Sequence, residues 1–271
     1  MIAGCGRGYR WIALDLDDTL LGPDRRVGEN ALEAVDTVQS RGGVAILATG
    51  RPYASARMFA DRLRIRGPIV ASSGAVIRDA DGASLRELYL TPEVVGEVID
   101  DAAARDLVAY VYTVDATRAT REHPDTARYS LILEEDIPVV EHPPKEGVYA
   151  LALRVDAGDG AGIEADLRCR FLNRAVILRP LPSLIEVLPP MATKGEALRF
   201  LSARLNLSLE DLVAVGDGPG DLDMLEVAGC GVAVANAPEG LRAAADYVTQ
   251  RPYDAGVLDA VTELFCGRND G

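Results

Sequence analysis

Three short apolar runs, Trp11 to Leu16, Val44 to Ala48 and Ile69 to Ala71, are separated by segments with helical spacing. In Asn30 to Arg41 the apolar residues Ala31, Leu32, Val35 and Val38 fall on one helical face, and Gly42-Gly43 ends the segment. Tyr53 to Leu63 reads as a second helix, with Pro52 suited to its first turn. Strands joined by helical crossovers run parallel, and a parallel sheet needs cover on both faces. The alternation returns late in the chain. Lys194 to Leu205, Asp221 to Ala228 and Gly256 to Phe265 read as helices, and Leu212 to Val215 and Val232 to Val234 as strands. The expected fold class is α/β, with a doubly wound parallel sheet.

The middle of the chain reads differently. Pro92 to Ala104 and Gly162 to Cys169 are helical in pattern, while Leu107 to Val114, Gly147 to Val155 and Ala175 to Leu178 are strand-like. Loops rich in proline and charge, such as HPPKEG at 142–147, lie between them. This predicts an α+β module over 83–184 inserted into a core built from 1–82 and 185–271.

With 48% hydrophobic and 26% charged residues, the 271-residue chain has an ordinary globular composition. Its formal net charge of −14 argues against nucleic acid as a partner, which calls for a basic footprint. No apolar run approaches the roughly 18 residues that mark a membrane span. The opening MIAGCGRGYR lacks the apolar core of a signal peptide, and the lipoprotein-like box Ile2-Ala3-Gly4-Cys5 has no hydrophobic stretch before it. The four cysteines form no CxxC pair and read as reduced thiols of a cytoplasmic protein. Nothing in the sequence sets an oligomeric state.

Ligands of open α/β sheets sit beyond the carboxyl ends of the strands. Asp15, Asp17 and Thr19 follow the first strand, and Thr49, Gly50 and Arg51 follow the second. Lys194 opens a late helix, and Asp217 and Asp221 lie in VGDGPGDLDML. Carboxylates gathered on one sheet edge repel and resist joint ionisation. A divalent cation removes the conflict, and an all-oxygen site with few protein ligands suits Mg²⁺. Thr49, the backbone N–H groups after it and Lys194 could take the remaining oxygens of a phosphate. Such an assembly suits phosphoryl transfer, with one carboxylate attacking phosphorus and a second moving the proton.

Those residues resemble the haloacid dehalogenase superfamily of phosphatases. DLDDT at 15–19 is similar to its first motif, Thr49 to its second, Lys194 to its third, and Asp217 with Asp221 to its fourth. The position and character of the insertion, with LLGPDRRV and SSGAVIRD, resemble the Cof-like branch with its large α+β cap. The resemblance implies a phosphatase acting on a small phosphomonoester, such as a sugar phosphate, through an aspartyl phosphate on Asp15, with Asp17 as acid/base. It implies Mg²⁺ on the Asp15 carboxylate, the Asp17 carbonyl and Asp217, with Asp221 binding directly or through water. Phosphate would meet Thr49, Gly50 and Lys194. Arg51, Ser73, Gly74 and Arg179 are candidate substrate contacts, and the cap would set specificity. A phosphomutase of the same fold, or a catalytically weak phosphate-binding or regulatory protein, are the alternatives.

Two positions depart from the pattern. Gly220 stands where the family usually has Asn, and Ser73-Gly74 where Asn-Gly is common. Asp18 reads as a turn residue, and His123 and His142 as loop histidines rather than metal ligands. Tyr110 and Tyr112 read as sheet packing, with one possible place in a pocket wall.

Overall fold

The computed structural model describes residues 8–266, so the Ile2-Ala3-Gly4-Cys5 box lies outside the described residues. β1 (Trp11–Leu14), β2 (Val44–Ala48) and β3 (Ile69–Ala71) pair in parallel, joined by α1 (Glu29–Ser40) and α2 (Tyr53–Arg62). The antiparallel strands β4 (Val76–Arg78) and β5 (Ser84–Glu87) extend that edge. The chain then forms α3 (Pro92–Ala104), β6 (Val108–Thr113), β7 (Thr117–Ala119), α4 (Thr126–Leu133), β8 (Val148–Arg154), α5 (Gly160–Arg170), β9 (Val176–Leu181) and β10 (Leu184–Leu188). It returns through α6 (Lys194–Leu205), β11 (Leu212–Gly216), α7 (Leu222–Val227), β12 (Cys230–Ala233), α8 (Glu239–Ala244), β13 (Tyr247–Val248) and α9 (Tyr253–Cys266).

The larger sheet has the order β13-β12-β11-β1-β2-β3-β4-β5. Side-chain alternation along β1 shows why it is doubly wound. Ile12 and Leu14 pack with α1, α2 and α9, whereas Trp11 and Ala13 pack with α6 and α7 on the opposite face. Strand order reverses direction at β1, which lies between β11 and β2. The crevice at a reversal of this kind is where an open α/β sheet offers its ligand site. β1 is shorter than expected: the chain turns after Asp15, and the Leu16 carbonyl accepts from the Leu20 and Leu21 N–H groups.

The smaller sheet is antiparallel, in the order β7-β6-β8-β10-β9. One face is covered by α3 and α5, where Val94, Val98, Leu167 and Phe171 meet Val111, Leu153 and Val187. The other face, with Tyr110, Tyr112, Ala152 and Leu188, joins the apolar cluster of the larger sheet. The fold is thus the α/β core with an inserted α+β cap that the sequence pattern implies. Pairing bears on the expected boundaries at 83 and 184. β5 hydrogen-bonds to β4 in the larger sheet, and β10 to β8 and β9 in the smaller. We propose that the cap begins after Glu87 and ends after Leu188.

Candidate active site

Asp15 follows β1, Lys194 opens α6, and Asp217 and Asp221 follow β11. Although distant in sequence, they meet. Lys194 Nζ donates to Asp15 Oδ1 and to Asp221 Oδ1, both at 2.6 Å. Asp221 Oδ2 accepts from the N–H groups of Asp217 (3.1 Å) and Gly218 (2.9 Å). The Thr19 hydroxyl donates to Asp217 Oδ1 at 3.0 Å. Glycines permit this approach. A Cβ on Gly216 would lie 2.5 Å from that of Asp221, and one on Gly74 would lie 2.3 Å from the Thr193 carbonyl. Thr193 in turn caps α6, accepting from the Glu196 N–H at 3.2 Å, and so fixes where Lys194 begins.

The charges here are under strain. Burial, then the charge of Asp221, pushes the Asp15 carboxyl well above its usual range, against the pull of Lys194. Burial and Asp221 likewise push Asp217 up to about 7. Burial disfavours the Lys194 ammonium, but Asp15 and Asp221 outweigh it and hold the amine protonated.

Asp17, two residues from Asp15, meets opposite conditions. Arg51 donates to it bidentately, Nε to Oδ2 at 2.8 Å and Nη2 to Oδ1 at 2.7 Å, and Arg25 adds a bond of 2.5 Å. Burial works against its charge, yet these guanidinium groups hold its carboxyl below the usual range. Arg51 is buried, lies over the Phe59 ring, and reaches the cap through the Ile132 carbonyl of α4 at 2.6 Å. Arg51, read from the sequence as a candidate substrate contact, is here a buried tie between Asp17 and the cap.

Thr49 Oγ1 accepts from the Arg51 N–H at 3.1 Å, and the Thr49 carbonyl accepts from the Ser73 N–H at 3.0 Å. Ser73 and Gly74 both have positive φ, 53° and 103°, so this loop bends sharply beside the Thr49–Gly50 turn. A cavity of about 670 Å³ spans the space above, with Asp15, Asp17, Thr49, Gly50, Lys194 and Asp217 on its floor. The cap supplies its roof, including Tyr110, Tyr129, Arg128, Arg179 and Glu186. Arg179 reaches the cavity while donating to Glu164 at 2.7 Å. Tyr110 lines the cavity, whereas the Tyr112 hydroxyl is turned into a contact with that of Tyr129. Asp18 sits at positive φ, and its carbonyl accepts from the Asn236 amide, which makes it a turn residue. The His123 ring accepts from the Asp125 N–H and holds a cap turn.

Two participants escaped the sequence reading. Glu186 is the single acid in the apolar pentad LIEVL of β10, a signal that alternation could have supplied. The Ile132 carbonyl carries no side-chain signal at all.

One ligand atom from each of Asp15, Asp217 and Asp221 can be chosen so that all lie within 4.8 Å of one another. This set of hard oxygen donors fits a small divalent cation. Among the described residues, Asp15 Oδ2 and Asp217 Oδ2 accept no hydrogen bond, whereas both Asp221 oxygens do. Among the described residues no helix is long and apolar enough to cross a membrane.

Comparison with known proteins follows the same lines. A family model described as haloacid dehalogenase-like hydrolase matches residues 12–261. A 5-amino-6-(5-phospho-D-ribitylamino)uracil phosphatase of Bacillus subtilis is 27% identical over 94% of this chain and 97% of its own. An HMP-PP phosphatase of Serratia proteamaculans is 28% identical over 84% of this chain and 85% of its own. Among solved structures, a haloacid dehalogenase-like hydrolase from Bacteroides thetaiotaomicron superposes with a TM-score of 0.86 at 27% identity, covering 95% of this chain and 100% of that one.

Proposed function

The chain belongs to the haloacid dehalogenase-like hydrolases, and from that premise we propose that it is a Mg²⁺-dependent phosphatase of a small phosphomonoester. The observation that carries the reading is Lys194 Nζ bridging Asp15 and Asp221 beside Asp217, at the strand-order reversal. Two relatives whose names describe phosphatases of small phosphorylated metabolites support it.

In the proposed reaction a carboxylate oxygen of Asp15 forms a bond to phosphorus as the ester P–O bond breaks, and the leaving oxygen takes a proton from Asp17. Water then attacks the aspartyl phosphate and gives a proton to Asp17, which releases phosphate and restores both acids. The second half needs Asp17 ionised, the form that Arg51 and Arg25 favour. The first half needs it protonated, and an incoming phosphate dianion raises its proton affinity by like-charge repulsion. Lys194, Thr49 and Gly50 line the cavity floor, where phosphate oxygens would sit. A divalent ion held by Asp15, Asp217 and the Asp17 carbonyl, with Asp221 directly or through water, would neutralise charge on those oxygens.

The test is phosphate release from a panel of phosphorylated metabolites, with Mg²⁺ and with chelator, alongside a thermal melt at each Mg²⁺ concentration. Multiple turnovers that need Mg²⁺, and a melting midpoint that rises with it, are expected. No phosphate release from any substrate, or release indifferent to chelation, would overturn the proposal.

A further inference from the structure

Among the described residues, every carboxylate on the cap side of the cavity has a cationic partner except one. Arg154 pairs with Asp125, and Arg179 and Arg168 pair with Glu164. Among the described residues, Glu186 has only the Ser73 hydroxyl, which donates to Oε2 at 3.4 Å. The residue is 7% exposed and lines the cavity. Its neighbours on β10, Ile185 and Val187, point into the opposite apolar layer, so alternation sends Glu186 toward the cavity. The groups around it are Ser73, the more distant Lys194, and the Tyr112 and Tyr129 hydroxyls, which already contact each other.

Its position is informative. A Cβ on Gly50 would lie 3.7 Å from Glu186 Oε1. The carboxylate therefore overhangs the turn that follows Thr49, next to where a phosphate would bind. A second anion there would repel phosphate, so this is not a phosphate ligand. Burial pushes it up to about 7, which leaves it able to accept and, when protonated, to donate. Among the described residues its Oε1 accepts no hydrogen bond, and the residue lines the cavity.

We propose that Glu186 contacts substrate, its Oε1 accepting a hydrogen bond from a hydroxyl of the leaving group close to the scissile phosphate. Within the small phosphomonoesters of the phosphatase reading, Glu186 would then favour those that carry a hydroxyl donor near the phosphate over those that carry none. This rests on the phosphatase reading above. A buried polar group that a substrate must satisfy rejects analogues lacking the matching group more strongly than an apolar pocket rejects a changed methylene.

The test compares kcat/KM of the wild type, Glu186→Ala and Glu186→Gln on D-glucose 6-phosphate, D-ribose 5-phosphate and glycerol 2-phosphate, and on phenyl phosphate, which has no donor hydroxyl. Glu186→Ala is expected to lose at least ten times more kcat/KM on the hydroxylated substrate that the wild type uses best than on phenyl phosphate. Glu186→Gln, whose amide oxygen still accepts, falls between. Melting midpoints show whether both variants fold, and Glu186→Gln keeps the comparison open if the alanine variant does not. An equal loss on both kinds of substrate would mean a structural role and sink the proposal, as would a wild type that prefers phenyl phosphate. A wild type that turns over neither kind would instead sink the phosphatase reading.

Discussion

The floor and the roof of the cavity handle charge in opposite ways. On the floor, Asp15, Asp221 and Lys194 are nearly fully buried and bonded to one another, drawn from chain segments far apart in sequence. Residues projecting from loops at the ends of parallel strands can converge in this way, because every strand aims its carboxyl end at the same edge. On the roof, ion pairs such as Arg154–Asp125 and Arg168–Glu164 are partly exposed, within or between cap elements, and screened by water. Buried, mutually dependent charges suit a fixed chemical step. Loosely held ones can be exchanged without disturbing the fold, as a specificity surface requires.

Breaking the floor should cost most. Asp15→Asn removes the proposed nucleophile, and turnover should drop about a thousandfold or more. It also removes a carboxylate that burial and Asp221 already disfavour, so the melting midpoint should hold to within a few degrees. A steady-state assay beside a thermal melt checks both halves, and full activity in this variant would refute the floor as the reaction centre.

Lys194→Ala comes next. It leaves Asp15 and Asp221 facing each other in a buried site with no cation between them. Removing one partner from a buried ion pair costs about 3–5 kcal/mol, and the loss of a positive group beside the reacting phosphate should lower kcat about a hundredfold or more. Denaturant unfolding reads the first effect and initial rates the second. Protonation of the orphaned acids at lower pH should restore part of the stability, which would separate charge repulsion from lost packing.

Arg51 joins the two regions, with Asp17 on the floor and the Ile132 carbonyl on the roof. Its guanidinium depresses the Asp17 pKa. The linkage has a definite sign: a depressed carboxyl contributes stability that is present above its unfolded value and is lost as pH falls through the folded one. Arg51→Ala should therefore destabilise at neutral pH, with the gap from wild type closing below the ordinary carboxyl range. Where hydrolysis of the aspartyl phosphate, the half that needs Asp17 ionised, limits turnover, the acidic limb of the kcat profile should move to higher pH, because Asp17 becomes easier to protonate. A variant whose profile keeps its acidic limb would disconnect Asp17 from that limb.

The same contrast explains what could be read in advance. Asp15, Thr49, Lys194 and Asp217 were legible because each follows or opens an element whose apolar period was clear, and because their residue types suit one reaction. The core sheet was legible for the same reason: Trp11 to Leu14 and Val44 to Ala48 are uninterrupted apolar runs. The roof was not. β7 and α4 carry weak or mixed patterns, and β10 lies hard against β9 with only Pro182-Ser183 between them. Glu186 looks like an ordinary charge until β10 is known to have one face on the cavity. The Arg51–Ile132 contact uses a backbone carbonyl, which every residue has, so no residue type could announce it.

The smallest effect expected concerns Gly220, one of the two positions that depart from the family pattern. A side chain there would be expected to steady Asp221 or the metal, and its loss would be expected to weaken both. The floor compensates with backbone: the Asp217 and Gly218 N–H groups hold Asp221 Oδ2, and Lys194 holds Oδ1. Nothing lies within 4 Å of a Cβ built on Gly220, and its φ is not in the left-handed range, so a larger residue fits without strain. Gly220→Asn should thus leave the fold intact and stabilise by up to about 1 kcal/mol through lower unfolded-chain entropy. Because Asp221 is already fully bonded, the half-saturating Mg²⁺ concentration should change by less than about fivefold, roughly the factor that 1 kcal/mol confers. A Mg²⁺ titration of initial rate compares the two proteins directly. A much larger drop in the Mg²⁺ requirement would mean that the backbone bonds do not replace the missing amide, and that this floor is weaker than its geometry implies.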